Sequence, residues 1–232
     1  MEFFPCRKCV KGYIYNEDEV SVCNCLIEYR NKLENEIAIN NSNLPKSIQN
    51  YTLENYIGKD ENKNLEKIKK YINEFETKFK NISFFVSGNN ATQKTTLIGY
   101  LGREIAKNGF SVSYCTMNEM IKDITNAPFK EGLDEKLLNY YEDLLIIDES
   151  FSLDKVTLYQ SGYQIPFLFD FLKERIERHK KATIFISNTN MKNIDNRFSI
   201  SLKSLIERNC SELVFTDSIN IKNSFNPEDM WK

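Results

Sequence analysis

The sequence predicts an α/β fold with a mostly parallel sheet covered by helices, preceded by a small cysteine-containing module. Three observations support this prediction. Strand-like and helix-like segments alternate between Leu65 and Phe215, which is typical of parallel sheets with crossover helices. A loop with the pattern of a phosphate-binding motif follows the first predicted strand of that region. Four of the six cysteines lie within the first 25 residues.

The composition is that of a globular chain with no targeting or membrane segment. Hydrophobic residues make up 41% of the 232 residues, and the formal net charge is −2. No apolar run approaches the roughly 18 residues that a membrane span needs, and the first residues lack the pattern of a signal peptide. We therefore expect a cytoplasmic protein that does not bind a membrane. The charge neither supports nor excludes nucleic-acid binding.

Turn-forming residues divide the chain into three parts. A helix-like stretch from Leu26 to Glu36 follows the cysteines, and Asn40-Asn41-Ser42-Asn43-Leu44-Pro45 has the composition of a linker. We therefore predict a cysteine module over 1–39, a linker over 40–50 and the α/β domain over 51–232.

The predicted elements of the α/β domain follow from hydrophobic periodicity. Leu65, Ile68 and Ile72 have the spacing of one helix face, whereas short apolar runs indicate buried strands. The predicted elements are a helix over Leu65–Phe79, a strand over Ser83–Ser87, a helix over Lys94–Asn108, strands over Ser111–Thr116 and Leu144–Ile147, a helix over Ile165–Lys180, and strands over Thr183–Ser187 and Leu213–Phe215.

The segment from residue 88 to residue 96 resembles the GxxxxGK[ST] phosphate loop and lies between a predicted strand and a predicted helix. Successive backbone N–H groups would bind phosphates, Lys94 would reach the β and γ phosphates, and the Thr95 hydroxyl would ligate Mg²⁺. The alternative is an ordinary strand-to-helix turn. The predicted ATP-binding residues of this loop are Gly88, Asn89, Asn90, Ala91, Thr92, Gln93, Lys94, Thr95 and Thr96.

Gln93 departs from the motif because it stands where the pattern has glycine before the lysine. The loop must therefore hold a side chain at this position. We expect a backbone conformation there that does not require glycine.

Two further strand ends carry polar residues suited to nucleotide hydrolysis. The predicted strand Leu144–Ile147 is followed by Asp148 and Glu149, as in a Walker B strand. Asp148 would hold Mg²⁺ through water, and Glu149 would orient and deprotonate the attacking water. Asn188 follows the strand Thr183–Ser187 and could contact the γ-phosphate as a sensor residue. The alternatives are a helix N-cap, a solvated acid and a turn residue.

The acid pair and the strand-terminal asparagine favour an AAA+ ATPase over a small-molecule kinase. Such enzymes complete the site with an arginine from a neighbouring subunit, which predicts a homo-oligomer in the ATP-bound state. Arg208, on a short helical segment 20 residues after Asn188, is the first candidate. Arg197 is the second candidate, and the alternative is an exposed surface arginine.

The N-terminal cysteines have the spacing Cys6-x₂-Cys9-x₁₃-Cys23-x-Cys25. Two close pairs can place four thiolates around Zn²⁺, and a module of this size has too little core to fold without such a clamp. An iron–sulfur cluster and a redox pair are the alternatives. Cys115 and Cys210 lie in apolar strand-like stretches and are predicted to be buried thiols.

The chain resembles the bacterial and phage helicase loaders of the DnaC/DnaI type, related to the IstB transposition helper ATPases. The resemblance rests on the cysteine module with Gly12-Tyr13-Ile14, the Asn50-Tyr51-Thr52 and Asn55-Tyr56 stretches, and the motifs GNNATQKTT, LLIIDE, FISNTN and SLIERN. It covers nearly the whole chain. It implies an AAA+ core that lacks the C-terminal lid, since family members end soon after the arginine that Arg208 matches.

The resemblance also implies a function. The AAA+ domain would bind ATP and single-stranded DNA, and the zinc module would bind a hexameric replicative helicase that is loaded during phage or bacterial DNA replication. One alternative is an IstB-like transposition helper, against which the cysteine module argues. The other is a nucleotide-binding adaptor with little turnover, which the substitution at Gln93 would favour.

Overall fold

The computed structural model describes residues 6–16, 19–58, 63–126, 135–152, 154–158 and 162–216.

The N-terminal cysteines flank a short hairpin in the sequence. Strands β1 (Tyr13–Tyr15) and β2 (Val20–Val22) pair antiparallel, and helix α1 (Asn24–Asn41) follows. Gly12 adopts a φ of 90°, and an added Cβ there would lie 2.7 Å from the Leu26 side chain. The hairpin therefore packs closely on the first turns of α1.

The central sheet has five strands that are parallel throughout. They are ordered β4-β5-β6-β3-β7, so the carboxyl ends of all five lie at one edge. Residues on both faces are buried because helices cover both sides, as in β5, where every residue is buried. The strands are β3 (Ser83–Gly88), β4 (Val112–Thr116), β5 (Leu144–Asp148), β6 (Ala182–Ser187) and β7 (Cys210–Phe215).

The helices lie where the hydrophobic periodicity predicts them, but two of the predicted long helices change geometry near their ends. The first becomes a π-helical turn at Phe75–Phe79, and the second does so at Glu174–Arg178. The described helices of the α/β domain are α2 (Lys46–Gln49), α3 (Asn64–Asn73), α4 (Lys94–Lys107), α5 (Met117–Asn126), α6 (Glu135–Leu138), α7 (Gln164–Lys173) and α8 (Ile200–Asn209).

The second π turn lies where a charged side chain enters the core. Arg175 is fully buried, and its guanidinium donates to Ala182 O at 2.7 Å, Glu142 O at 2.9 Å and Thr183 Oγ1 at 3.0 Å. Burial lowers the pKa of Arg175 to about 10. The predicted helix Ile165–Lys180 therefore ends early, since its last turns reshape around a buried arginine.

The segment 40–50, predicted to be a linker, makes specific contacts with the α/β domain. Ser42 O accepts a hydrogen bond from the Tyr114 N–H of edge strand β4 at 2.8 Å, and Leu44 is buried in the core. Ile48 packs so closely on α4 that a Cβ added at Gly99 would lie 2.4 Å from it. Helix α1 also packs against α4. The segment thus joins the two parts of the chain by contact, which turn-forming composition alone could not predict.

The predicted buried thiols are confirmed, since Cys115 and Cys210 are 6% and 9% exposed. None of the described helices has the length and apolar character that a membrane span requires. The predicted absence of a C-terminal lid concerns residues 217–232, which lie outside the described part of the chain.

Candidate nucleotide-binding site and cysteine cluster

The loop between β3 and α4 has the backbone of a tight anion-binding turn. Gly88 adopts a φ of 151°, and a Cβ there would meet the carbonyl oxygen of Phe215 at 2.2 Å, so only glycine fits beside β7. Ala91 and Gln93 have positive φ angles of 61° and 59°. The loop then enters the N-terminus of α4, where unpaired backbone N–H groups favour a phosphate.

Lys94 begins helix α4 and turns its ammonium group back across the loop. Its Nζ donates to Gly88 O and Asn89 O, both at 2.7 Å, and to Thr92 Oγ1 at 3.1 Å. Burial lowers the pKa of Lys94 to about 8, against the opposing effect of the nearby Asp148 carboxylate. A phosphate at this loop would meet a desolvated lysine that is already aimed at the loop.

The sequence predicts that the backbone at Gln93 does not need a conformation that favours glycine. The structure differs, because this backbone lies in the left-handed region that glycine favours. This conformation costs a non-glycine residue roughly 1–2 kcal/mol. The side chain makes contacts that glycine could not make. Its Oε1 accepts from Ile57 N at 3.0 Å, and its Nε2 donates to Tyr51 Oη and Asn55 O at 3.4 Å each.

Asp148 ends β5 with both carboxylate oxygens in hydrogen bonds. The Tyr114 hydroxyl donates to Oδ2 at 2.6 Å, and the Glu149 N–H donates to Oδ1 at 2.7 Å. Burial, together with the negative charge of Asp148, raises the pKa of Tyr114. The carboxylate of Asp148 is therefore fixed in direction and offers the hard oxygen ligands that Mg²⁺ prefers.

Glu149 lies in a strained turn anchored to β6. Its φ is 53°, and that of Phe151 is 56°. Between them, Ser150 N donates to Ile186 O at 2.7 Å, and Ser187 Oγ donates to Ser150 O at 2.6 Å. The Glu149 side chain is exposed and lies 3.8 Å from Lys155 Nζ. A fixed backbone with an exposed carboxylate suits a group that receives a proton from water.

Asn188 lies next to this turn. It directly follows Ser187, which pairs with Ser87 in the strand that leads to the phosphate loop. Its side chain is exposed, and Thr95 and Thr96 lie half-buried in the first turn of α4. The ends of β3, β5 and β6 are neighbours in the sheet, so the predicted loop, acid pair and asparagine share one edge.

The two candidate arginines are exposed and engaged within the chain. Arg208, near the end of α8, has its Nη2 atom 3.5 Å from Glu177 Oε1 and donates from Nε to Ser204 O at 3.2 Å. Arg197 pairs with Asp195 at 3.1 Å. Their exposure is compatible with a role in a neighbouring subunit, and this role stays a prediction.

Similarity to solved structures identifies the fold. The chain matches a DnaC helicase loader (TM-score 0.60, 20% identity, 74% of this chain and 99% of that one). It also matches DnaI (TM-score 0.58, 17% identity, 75% and 92%). It has a DnaC/DnaI-like AAA+ fold. A replication initiator DnaA bound to AMPPCP and single-stranded DNA is also similar (TM-score 0.58, 21% identity, 77% and 52%). The sequence matches no family model and no curated protein.

The predicted zinc ligands converge into one cluster. The Sγ atoms of Cys6, Cys9, Cys23 and Cys25 lie within 4.8 Å of one another, and the Cys9–Cys25, Cys6–Cys23 and Cys6–Cys9 pairs are 3.4, 3.6 and 3.7 Å apart. Tetrahedral Zn²⁺ with Zn–S bonds of about 2.3 Å requires sulfurs about 3.8 Å apart. The donor set and its spacing therefore fit one zinc ion.

Sequence patterns did not indicate two polar residues that support the candidate nucleotide site. Tyr114 holds Asp148 from the neighbouring strand β4, and Glu212 on β7 accepts from Ser87 Oγ at 2.8 Å and from Met191 N at 3.0 Å. Glu212 thus ties the strand before the phosphate loop to the segment after Asn188. No sequence motif indicates either contact, because both depend on the order of the strands in the sheet.

Proposed function

We propose that this protein is an ATP-dependent loader of a replicative DNA helicase onto single-stranded DNA, with an AAA+ ATPase site at the edge of the sheet. The observation that carries the proposal is the convergence of Lys94, the Asp148–Glu149 pair and Asn188 in a DnaC/DnaI-like fold, in a chain that also has a four-cysteine cluster. The DnaA structure with AMPPCP and single-stranded DNA supports both proposed ligands at the level of the fold.

The residues of the site have distinct roles in the proposed hydrolysis. The backbone N–H groups of the loop bind phosphate oxygens, and Lys94 exchanges its carbonyl partners Gly88 and Asn89 for the β and γ phosphates. Glu149 accepts the proton of the attacking water, and Asn188 donates its amide to the γ-phosphate or to that water. The hydrogen bond from Ser150 N to Ile186 O holds the backbone next to Glu149 against β6 during this step.

Asp148 and the Thr95 hydroxyl are the residues that would hold Mg²⁺. The ion, when bound, neutralises charge that develops between the β and γ phosphates. Arg208 would act on the same charge from a neighbouring subunit, in a homo-oligomer formed with ATP. Its exposed position and its long, weak pair with Glu177 allow it to exchange that partner for a phosphate.

The cysteine cluster would bind Zn²⁺ and present the hairpin to the helicase. The hairpin exposes apolar side chains that include Val10, Tyr15 and Val20, at 64%, 63% and 59%. Exposed apolar residues grouped on so small a unit favour a protein partner over a solvated surface.

The adaptor alternative also binds nucleotide at this loop and differs in having little turnover. Gln93, which favoured it, has a φ of 59°, in the left-handed region that favours glycine. This backbone suits a phosphate loop in either proposal, and a measurement of hydrolysis separates them. The IstB-like alternative shares the ATPase site and differs in its partner.

The decisive experiment is co-purification with candidate replicative helicases, with and without ATP, together with ATPase assays with and without single-stranded DNA. We expect ATP-dependent retention of one helicase and hydrolysis that Glu149→Gln abolishes. Retention on a transposase and not on any helicase would support the IstB-like alternative. Nucleotide binding without hydrolysis in every condition would support the adaptor.

A further inference from the structure

The residue that breaks the phosphate-loop motif also links that loop to a separate part of the chain. Gln93 bonds three groups that span seven residues, namely Ile57 N, Tyr51 Oη and Asn55 O. Segment 51–57 contains a 3-10 turn at Leu53–Asn55 whose hydrogen bonds are local, such as Thr52 N to Asn55 Oδ1 at 2.8 Å. A single amide therefore joins the start of α4 to a short turn with little regular structure.

The position of this segment relates it to the nucleoside end of a bound nucleotide. The γ-phosphate end is marked by Asp148, which ends β5, and by Asn188, which follows β6, and both strands lie on one side of β3. On the other side of β3, Asn64 at the start of α3, seven residues after Ile57 in the sequence, donates to Val214 O of β7 at 2.9 Å. A nucleotide whose γ-phosphate lay at the ends of β5 and β6 would extend its nucleoside away from β5, and segment 51–57 lies next to the loop at Gln93.

We infer that Gln93 is a positioning residue that holds segment 51–57 against the phosphate loop, so that the segment contributes to the binding of the nucleoside. The inference rests on the proposed nucleotide site and assigns a role to the one residue that departs from its motif. The tyrosines of the segment, Tyr51 and Tyr56, pack half-buried on the α4 side of the sheet. Gln93 fixes the turn between them. Phosphate contacts, which come from backbone N–H groups and Lys94, do not need its side chain.

Glycine is the informative substitution. Gln93→Gly removes the amide but favours the left-handed backbone at this position, so the loop itself is not strained by the change. A purely structural role in the loop predicts equal or better binding of every phosphate ligand. The positioning role predicts weaker binding only of ligands that contain a nucleoside, and unchanged binding of ligands that consist of phosphate alone.

The test compares ATP with inorganic tripolyphosphate, which lacks the nucleoside, by calorimetry on the full chain. For Gln93→Gly we expect the Kd for ATP to rise about tenfold while the Kd for tripolyphosphate stays within about twofold. Glu76→Gln, an exposed acid-to-amide change outside segment 51–57, is the control and should bind both ligands like the wild type.

Hydrogen exchange supplies a second readout. ATP should slow the exchange of the Ile57 amide in the wild type, and this protection should be lost in Gln93→Gly. Equal effects of Gln93→Gly on both ligands, or none on either, would overturn the inference while leaving the phosphate site intact. A wild-type protein that bound neither ligand would overturn the nucleotide site and the inference with it.

Discussion

The Tyr114 hydroxyl donates to the Oδ2 atom of Asp148 at 2.6 Å, across two neighbouring strands of the sheet. Because the Glu149 N–H occupies Oδ1, the direction of this carboxylate is set by groups on both sides. Such partners of a metal-ligating carboxylate orient it and tune its affinity for the ion.

Tyr114→Phe should therefore raise the Mg²⁺ concentration needed for half-maximal ATPase activity by about tenfold. Most of the rate should return at saturating Mg²⁺, since the carboxylate itself is retained. Tyr15→Phe, which removes an exposed hydroxyl, is the control. A magnesium titration identical to that of the wild type would show that Tyr114 has no part in holding the ion.

Glu149→Gln should retain ATP binding and lose hydrolysis by about 10²-fold or more, because the amide cannot accept the proton of the attacking water. Lys94→Ala should instead abolish binding, since it removes the phosphate contact. Fluorescent-nucleotide binding and phosphate release separate the two variants. Wild-type turnover in Glu149→Gln would exclude this residue as the base.

ATP binding should be accompanied by proton uptake that grows between pH 7 and pH 8.5. In the free protein the pKa of Lys94 is lowered to about 8 by burial, so the neutral form is present in that range. Phosphates favour the charged form, and binding then takes up about 0.1 proton at pH 7 and about 0.8 at pH 8.5.

Calorimetry in buffers of different ionisation enthalpy measures this uptake. Uptake that did not change with pH would show that Lys94 is already charged in the free protein.

The environment of Lys94 also affects the free energy of unfolding. Because the pKa of Lys94 in the folded protein lies below its unfolded value, burial of the charged group destabilises the fold fully below pH 8. This destabilisation is relieved as the pH rises toward the unfolded pKa.

Arg208→Ala should leave ATP affinity nearly unchanged and lower the ATPase rate of the assembled protein, because the arginine would act in the transition state of a neighbouring subunit. Adding Glu149→Gln subunits, which carry an intact Arg208, should restore part of the rate. Arg197→Ala is the matched control, as an exposed arginine that also pairs with an acid. A rate loss in Arg197→Ala alone would transfer the role to that residue.

The full chain should bind about one Zn²⁺, and Cys9→Ser should lose it. Metal ligation supplies folding free energy on the order of 10 kcal/mol in comparable small modules, so this variant should also unfold the hairpin and lose the helicase. Cys115→Ser, at a buried thiol of the core, should keep the metal.

Nucleotide binding should survive in Cys9→Ser, because α1 remains packed on α4 beyond the cysteines. A truncation at Lys46 is a poorer test, since it would also remove Leu44 from the core and the Ser42 bond to Tyr114. Full helicase affinity in Cys9→Ser would place the partner site in the AAA+ domain.

Contiguous patterns made the strands, the phosphate loop and the Asp148–Glu149 pair predictable, because each depends on residues close in sequence. Cys6, Cys9, Cys23 and Cys25 were recognisable for the same reason. The partners of these groups were not predictable. Tyr114 reaches Asp148 only because β4 lies beside β5, and Gln93 reaches Ile57 only because the chain folds back on α4.

The close fit of Ile48 on Gly99 has a mechanical consequence. Helix α4 carries Lys94 in its first turn. Helices α1 and α2, which follow the cysteine hairpin in the sequence, both pack against α4. Packed helices move as stiff rods and do not deform smoothly. A force applied to the hairpin would therefore pass through α1 to α4, the helix that carries Lys94 in its first turn.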